Sequence, residues 1–247
     1  MLEQLRTYME KQNLDGFFVQ NHENVRYISG YTSDDAYLLI TRGRQFLITD
    51  PRYTEHAQAE CPDYTILNWR GAAPNVGEYA AQLAEQEGLK AVGFEKDLLT
   101  VKFHEALCTA PHTEWVGTEG VIEEFRSVKT PEEIEKLKVA CDIASRAFEH
   151  IIRDIRVGVT EKELASRLSH YMVMEGSDTK PYGNILISGA RTSLLHGIPS
   201  SKAVEYGDFV LMDYGCQYKG YLSDMTRTVV REVLIEIAHG LSNQEIA

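Results

Sequence analysis

Residues Gly207 to Thr228 read GDFVLMDYGCQYKGYLSDMTRT, and this stretch decides what kind of chain it is. FVLMDYG has the apolar run of a buried strand, yet Asp213 stands near its end, and a second aspartate, Asp224, follows beyond Tyr218-Lys219-Gly220. A reversal about Tyr218-Lys219 predicts an antiparallel hairpin with Asp213 directly opposite Asp224. Like charges directly opposed on one sheet face are destabilising, and a lone buried carboxylate is costly unless something compensates it. A cation between the two removes both penalties. Carboxylate oxygens suit hard divalent ions such as manganese or magnesium, and they also serve zinc or cobalt in two-metal hydrolases. Read in isolation, the same pair also fits a surface hairpin with two solvated aspartates. Cys216, beside the turn, reads as a packing residue. Gly215 and Ser223 read as small residues that leave room for ions or relieve a twisted hairpin.

Working outward, NILISG and then LLHGIPS precede the hairpin, and His196 stands between an apolar run and a Gly-Ile-Pro turn. Before these, SVKTPEEIEKLK predicts a helix with Thr130 as N-cap, Pro131 at the first helical position and Glu133 closing a capping box. Ile134, Leu137, Cys141, Ala144, Phe148 and Ile151 form its apolar stripe. Gly158 ends this region. Thr160 to Glu163 then repeats the capping-box signature ahead of a second helix, which aligns Leu164, Leu168 and Met172 on one face. Two helices over an antiparallel sheet make residues 125–230 an α+β domain. Residues 1–124 alternate strand-like and helix-like segments, among them DGFFVQ, the hairpin DAYLLITRGRQFLITD about Arg42-Gly43, VGEYAAQLAEQEG and KAVGFE, which argues an α/β domain.

The 247 residues carry a formal charge of -12, with 43% hydrophobic and 25% charged residues. This is the composition of a globular protein rather than a disordered or fibrous one, and the acidic balance argues against a nucleic-acid surface. No run approaches a membrane span and no signal-peptide core is seen at the N-terminus, so a cytoplasmic location is expected. Cys61, Cys108, Cys141 and Cys216 show no CxxC spacing and are read as mostly buried thiols rather than disulfide or knuckle ligands.

The ordered set HGIPS, GDFVLMDYG and YKGYLSDMTRT resembles the metallopeptidase family that includes aminopeptidase P, prolidase, creatinase and methionine aminopeptidase, whose catalytic domain has the pita-bread fold. ENVRYISGYTSDDAYLLI and FLITDPRYTEHA are similar to the creatinase-type N-terminal domain that accompanies aminopeptidase P and prolidase. The resemblance, from residue 1 to about residue 230, implies an α/β creatinase-like N-terminal domain over 1–124, followed by the first half of an α+β pita-bread domain over 125–230. It also implies a hydrolase of Xaa-Pro peptide bonds that uses two divalent metal ions, manganese, cobalt or zinc. Asp213 would be the bidentate ligand of one ion, Asp224 would bridge both, and His196 would contact a proline-containing peptide near the scissile bond. The implied chemistry is attack by a metal-bridging water. Because relatives are often dimeric, a homodimer is implied as well. The family pattern has three further ligands after SDMTRT, a histidine in a Gly-His-Gly context and two glutamates, and no counterpart is found in this sequence. The family's activity is therefore implied, while turnover by these 247 residues is left open. A non-catalytic interaction protein on the same scaffold is the alternative.

Residues 231–247, REVLIEIAHGLSNQEIA, change character at Val230-Arg231. Val233, Leu234, Ile237 and Ala238 recur at helical spacing, Gly240 stops them, and Ser242 to Glu245 opens another capping box. This atypical helical tail resembles the opening of a LuxR-type helix-turn-helix, without the recognition helix that would enter the major groove. A DNA-binding regulator is accordingly disfavoured, and Glu232, Glu236 and His239 are read as helix positions rather than replacement ligands. The junction is expected to mark a natural fusion, a shortened chain or a join of unrelated genes, leaving half a catalytic domain.

Overall fold

Neighbouring residues of the N-terminal strands pack to opposite sides of one sheet, and both sides are buried. The structure, a computed structural model, describes residues 1–178 and 183–230, so the expected tail over 231–247 lies outside the described residues. The chain divides into two compact units, 1–128 and from 129 onward. The anticipated boundary at 124 falls inside a helix, Val121–Ser127, whose Val121 and Ile122 are buried in the first core, so the division lies four residues later.

The first unit runs α1 (Leu2–Lys11), β1 (Gly16–Val19), α2 (His22–Ser29), β2 (Ala36–Thr41), β3 (Gln45–Thr49), α3 (Thr54–Glu60), β4 (Thr65–Asn68), α4 (Val76–Gln86), β5 (Ala91–Glu95), α5 (Val101–Leu107), β6 (Glu114–Thr118) and α6 (Val121–Ser127). Six strands form one sheet in the order β4-β3-β2-β1-β5-β6. The pairs β1/β5, β5/β6 and β3/β4 are parallel, while β1/β2 and β2/β3 are antiparallel. Phe17, Leu38, Ile40 and Leu47 enter one core with α1 and α2; their neighbours Phe18, Leu39, Phe46 and Ile48 enter a second with α4 and α5. A sheet covered on both faces needs strands that are apolar throughout, which is why GFFV and AYLLIT read as continuous runs. Among the described residues, no helix is long and apolar enough to cross a membrane.

The second unit contains α7 (Pro131–Ile151), α8 (Glu161–Met174), β7 (Ile185–Ser188), a short 3-10 turn (Gly189–Ser193), β8 (Phe209–Tyr214), β9 (Gln217–Tyr218), β10 (Tyr221–Leu222) and β11 (Met225–Val230). Both helices open with the expected capping boxes, Thr130 with Glu133 and Thr160 with Glu163. An antiparallel sheet, β11-β8-β7, packs against α7 and α8 through Leu164, Leu168, Met172, Leu186, Val210, Met212 and Tyr214.

The stripe expected on α7 holds at Ala144 and Ile151 and departs at Ile134 and Cys141. Glu133, Ala140, Ile143, Ala144, Ala147 and Ile151 are buried, whereas Ile134 is 44% exposed and Cys141 is exposed. Alanines on the sheet-facing side let the helix approach closely, and a reading that weighs large apolar side chains most heavily passes over Ala140 and Ala147. The cysteines also divide evenly, contrary to the expectation of mostly buried thiols: Cys61 and Cys216 are buried, Cys108 and Cys141 exposed, and all four are free.

Candidate active site

Strand β8 alternates. Val210, Met212 and Tyr214 are buried toward the helices, so Phe209, Leu211 and Asp213 point to the opposite face, as the period of a strand requires. The aspartate in an apolar strand therefore sits on the face turned away from the helical layer. Phe209, on the same face, is 54% exposed.

The hairpin turn lies one residue later than expected. Tyr218 pairs with Tyr221 and Gln217 with Leu222, leaving Lys219 (φ 49°) and Gly220 (φ 84°) as the two central residues. A two-residue hairpin loop of this kind needs positive φ at both central positions. Gly220 meets that demand without steric cost, whereas a turn centred on Tyr218-Lys219 would impose it on a tyrosine. The shift changes the partner of Asp213, which lies opposite Thr226 rather than Asp224. Thr226 Oγ1 donates to Asp213 Oδ1 at 3.1 Å. Asp224 precedes Thr226 by two residues, so the two carboxylates are diagonal neighbours on one side. Diagonal neighbours in an antiparallel ladder sit roughly 7–8 Å apart, which relieves the repulsion of direct opposition while keeping both groups on the same face.

His196 is exposed on the segment 194–199. Gly197 beside it lies against Ile187: a Cβ at Gly197 would come within 2.8 Å of the Ile187 side chain. Ile187 pairs with Leu211 and Ile185 with Asp213, so Ile187 belongs to the same sheet face as Asp213. The structure thus brings the loop carrying His196 over the face that bears the two aspartates.

Cys216 and Ser223 do structural work beneath this face. Cys216 is fully buried, its thiol donates to the Ala140 carbonyl at 3.1 Å, and burial pushes that thiol up. Ser223 N–H donates to the Cys216 carbonyl, and the Cys216 N–H donates to Ser223 Oγ. Ser223 thus ties the hairpin through hydrogen bonds, a use other than the two foreseen for a small residue at 223.

Asp213 and Asp224 offer oxygen donors of the type that hard divalent ions take, and they fit one edge of a metal centre. No group of three or more His, Cys, Asp or Glu placed to hold an ion occurs among the described residues.

One residue of this region escaped the sequence reading. Glu161, at the start of α8, is fully buried. Its carboxylate accepts from the backbone N–H groups of Ser188 at 2.7 Å and Ser200 at 2.9 Å, from both serine hydroxyls, and from Arg191 Nε at 3.2 Å. The available signal was a surplus: two glutamates open α8, and the capping box uses only Glu163.

Burial drives the Glu161 carboxyl up, but the hydrogen bonds from Ser200 and Ser188 and the Arg191 charge outweigh it and hold the group below its usual range. Glu133 is likewise raised by burial and lowered further by hydrogen bonds from Thr130 and Tyr221, and Asp208 by those from Lys202 and Glu205. A carboxyl depressed on folding contributes stability above its unfolded pKa, which is lost as pH falls through the folded value. The melting temperature is therefore expected to hold above about pH 5 and to drop as acid is added below about pH 4. Thermal melts across that range check this, and a melting temperature that rises on acidification would contradict it.

The comparisons with known proteins fit this geometry. Residues 1–128 match the creatinase/prolidase N-terminal domain and residues 135–239 match metallopeptidase family M24. The uncharacterized peptidase YqhT of Bacillus subtilis is 35% identical over 92% of this chain and 64% of its own length. An Xaa-Pro dipeptidase of Pyrococcus horikoshii is 31% identical over 90% of this chain and 62% of its own length. The chain thus spans less than two thirds of the length of these relatives. Among solved structures, an Xaa-Pro dipeptidase from Bacillus anthracis superposes with a TM-score of 0.84 at 36% identity, over 96% of this chain and 67% of that one. An X-Pro aminopeptidase from Thermotoga maritima follows at 0.83 and 31%, over 93% and 64%.

Proposed function

Because the chain belongs to the creatinase/prolidase branch of metallopeptidase family M24, we propose that this protein hydrolyses Xaa-Pro peptide bonds with the help of two divalent metal ions, manganese, cobalt or zinc. The observation that carries the proposal is Asp213 on the sheet face against which Gly197, beside His196, packs, with Asp224 two residues before its cross-strand partner Thr226. Bound there, the ions would supply a water of lowered pKa and charge to stabilise the oxyanion. The chain's own residues have separate tasks. Asp213 is oriented by the Thr226 hydroxyl and backed by a strand whose other face is core, so its carboxylate is held before any ligand arrives. Asp224 adds the second carboxylate from the position just before β11. His196, exposed above them, donates a hydrogen bond to the peptide next to the scissile bond and so orients it. A cytoplasmic location and a homodimer belong to the same proposal, supported by the family alone.

The test is an assay of the 247-residue chain with manganese, cobalt or zinc supplied in turn, against Xaa-Pro and Xaa-Ala dipeptides and a longer peptide with proline second. Cleavage of the Xaa-Pro bond, abolished by chelator and at least tenfold slower for Xaa-Ala, is expected. Equal rates for the two dipeptides would remove the proline preference, and absence of cleavage with every metal would remove the activity of this chain.

A further inference from the structure

Glu161 is the first residue of α8, where an acidic side chain ordinarily remains in water to complement the helix dipole. Here it is 0% exposed. Burial of a carboxylate is costly unless hydrogen bonds and charge compensate, and five donors do so. Those donors are not spread over the unit. Ser188 is the last residue before the segment 189–199, Ser200 is the first after it, and Arg191 lies within it. Arg191 in turn reaches across the loop, its Nη2 donating to the Ile198 carbonyl at 2.8 Å. One carboxylate therefore fastens both stems of the loop and, through Arg191, its far side.

The loop also has bonds of its own, in the 3-10 turn Gly189–Ser193 and from the Thr192 and Ser193 hydroxyls to the Gly189 and Ala190 carbonyls. Within the segment, Leu194 N–H donates to the Arg191 carbonyl and Gly197 N–H to the Leu194 carbonyl. The return stem is held by Lys162 N–H on the Ser200 carbonyl and Glu161 N–H on the Lys202 carbonyl. The tip is open: Leu195 is 87% exposed and Ile198 80%. Gly197 packs on Ile187. The start of α8 does not explain why the carboxylate is there, since Glu163 serves the capping box with Thr160.

We propose that Glu161 is the positioning residue of the candidate active site: by binding Ser188, Arg191 and Ser200 at once it closes 189–199 into a loop of set geometry and so decides where His196 meets the peptide. This role rests on the function proposed above. The carboxylate's bonds run to Ser188, Arg191 and Ser200, so its effect on hydrolysis is exerted through the loop that carries His196, beside whatever stability the same bonds give the unit.

The experiment uses the 247-residue chain and Glu161→Gln, in which an amide N–H₂ faces donors that need an acceptor. Hydrogen exchange of peptides covering 189–199 is expected to quicken about tenfold, the scale set by losing a charge-assisted hydrogen bond, while peptides from α7 and the rest of α8 change less than twofold. Exchange that quickens evenly over the whole unit, or not at all, overturns the proposal. Should Glu161→Gln fail to fold, Ser200→Ala removes one donor and gives the same local pattern at smaller size. Hydrolysis of an Xaa-Pro dipeptide supplies the second readout. kcat/KM is expected to fall about tenfold to a hundredfold, as for a misplaced orienting group, with manganese affinity unchanged and with no further loss when Glu161→Gln is added to His196→Ala. Full additivity in that double mutant also overturns the proposal. If the unaltered chain cleaves nothing, the proposed function fails, and the exchange pattern still decides whether Glu161 sets the loop.

Discussion

Asp213→Ala is expected to lower kcat/KM for an Xaa-Pro dipeptide at least about a thousandfold, since a metal-activated water contributes several kcal/mol to the barrier and each ~1.4 kcal/mol is tenfold. The fold should survive the change. Asp213 lies on the face turned away from the helices, its hydrogen bond is to Thr226, and its buried neighbours Met212 and Tyr214 keep their packing in the second core. Asp224→Ala is expected to lose activity on the same scale. Manganese titration calorimetry on the unaltered chain and both variants measures the cause directly: binding should weaken in each, with the melting temperature within a few degrees of the original. An Asp213→Ala chain that keeps activity within tenfold would sink the assignment of this residue to the metal.

Leu168→Ala tests the layer behind the site. Leu168 is 0% exposed, in the core formed by α7, α8 and the sheet that carries Asp213. Removing a buried leucine side chain costs the lost transfer energy plus the cavity left behind, about 3 kcal/mol. For a unit of this size that corresponds to a melting temperature lower by roughly 10 °C or more. The control is Leu195→Ala, at a residue 87% exposed, expected to stay within about 0.5 kcal/mol. Below its melting point, Leu168→Ala should still cleave, because the residue supports the strand without touching the reacting groups. A melting temperature equal to that of Leu195→Ala would show that the two helices do not form the core described.

Family, fold class and helix starts could be read without coordinates because each is written locally. Thr130-Pro131 with Glu133, and Thr160 with Glu163, satisfy backbone donors within one turn of themselves, so no distant partner is needed to recognise them. The Leu164, Leu168 and Met172 stripe was legible for a related reason: large side chains at helical spacing have a single buried face to occupy. On α7 the same logic held at Ala144 and Ile151 but missed Ala140 and Ala147, which are also buried, since a methyl group carries little periodic signal.

Register and burial lay beyond that local reading. The turn at Lys219-Gly220 was misplaced by one residue, and a one-residue change reassigns every cross-strand partner. It exchanged Asp224 for Thr226 opposite Asp213 and turned a face-to-face pair of charges into a diagonal one. Glu161 was hidden for a different reason: as a string of letters, a glutamate at a helix start looks the same whether it faces water or five donors.

The sequence by itself determined the family, the two-part organisation and the identity of the candidate ligands, because those depend on residue type and order. Only the tertiary structure decided that Asp213 and the loop of His196 lie on one sheet face, and that a buried carboxylate holds that loop. The second fact depends on segments that meet across some 30 to 40 residues of chain, as in the Glu161 bonds to Arg191 and Ser200, and the first on strand register; neither is set by any local pattern.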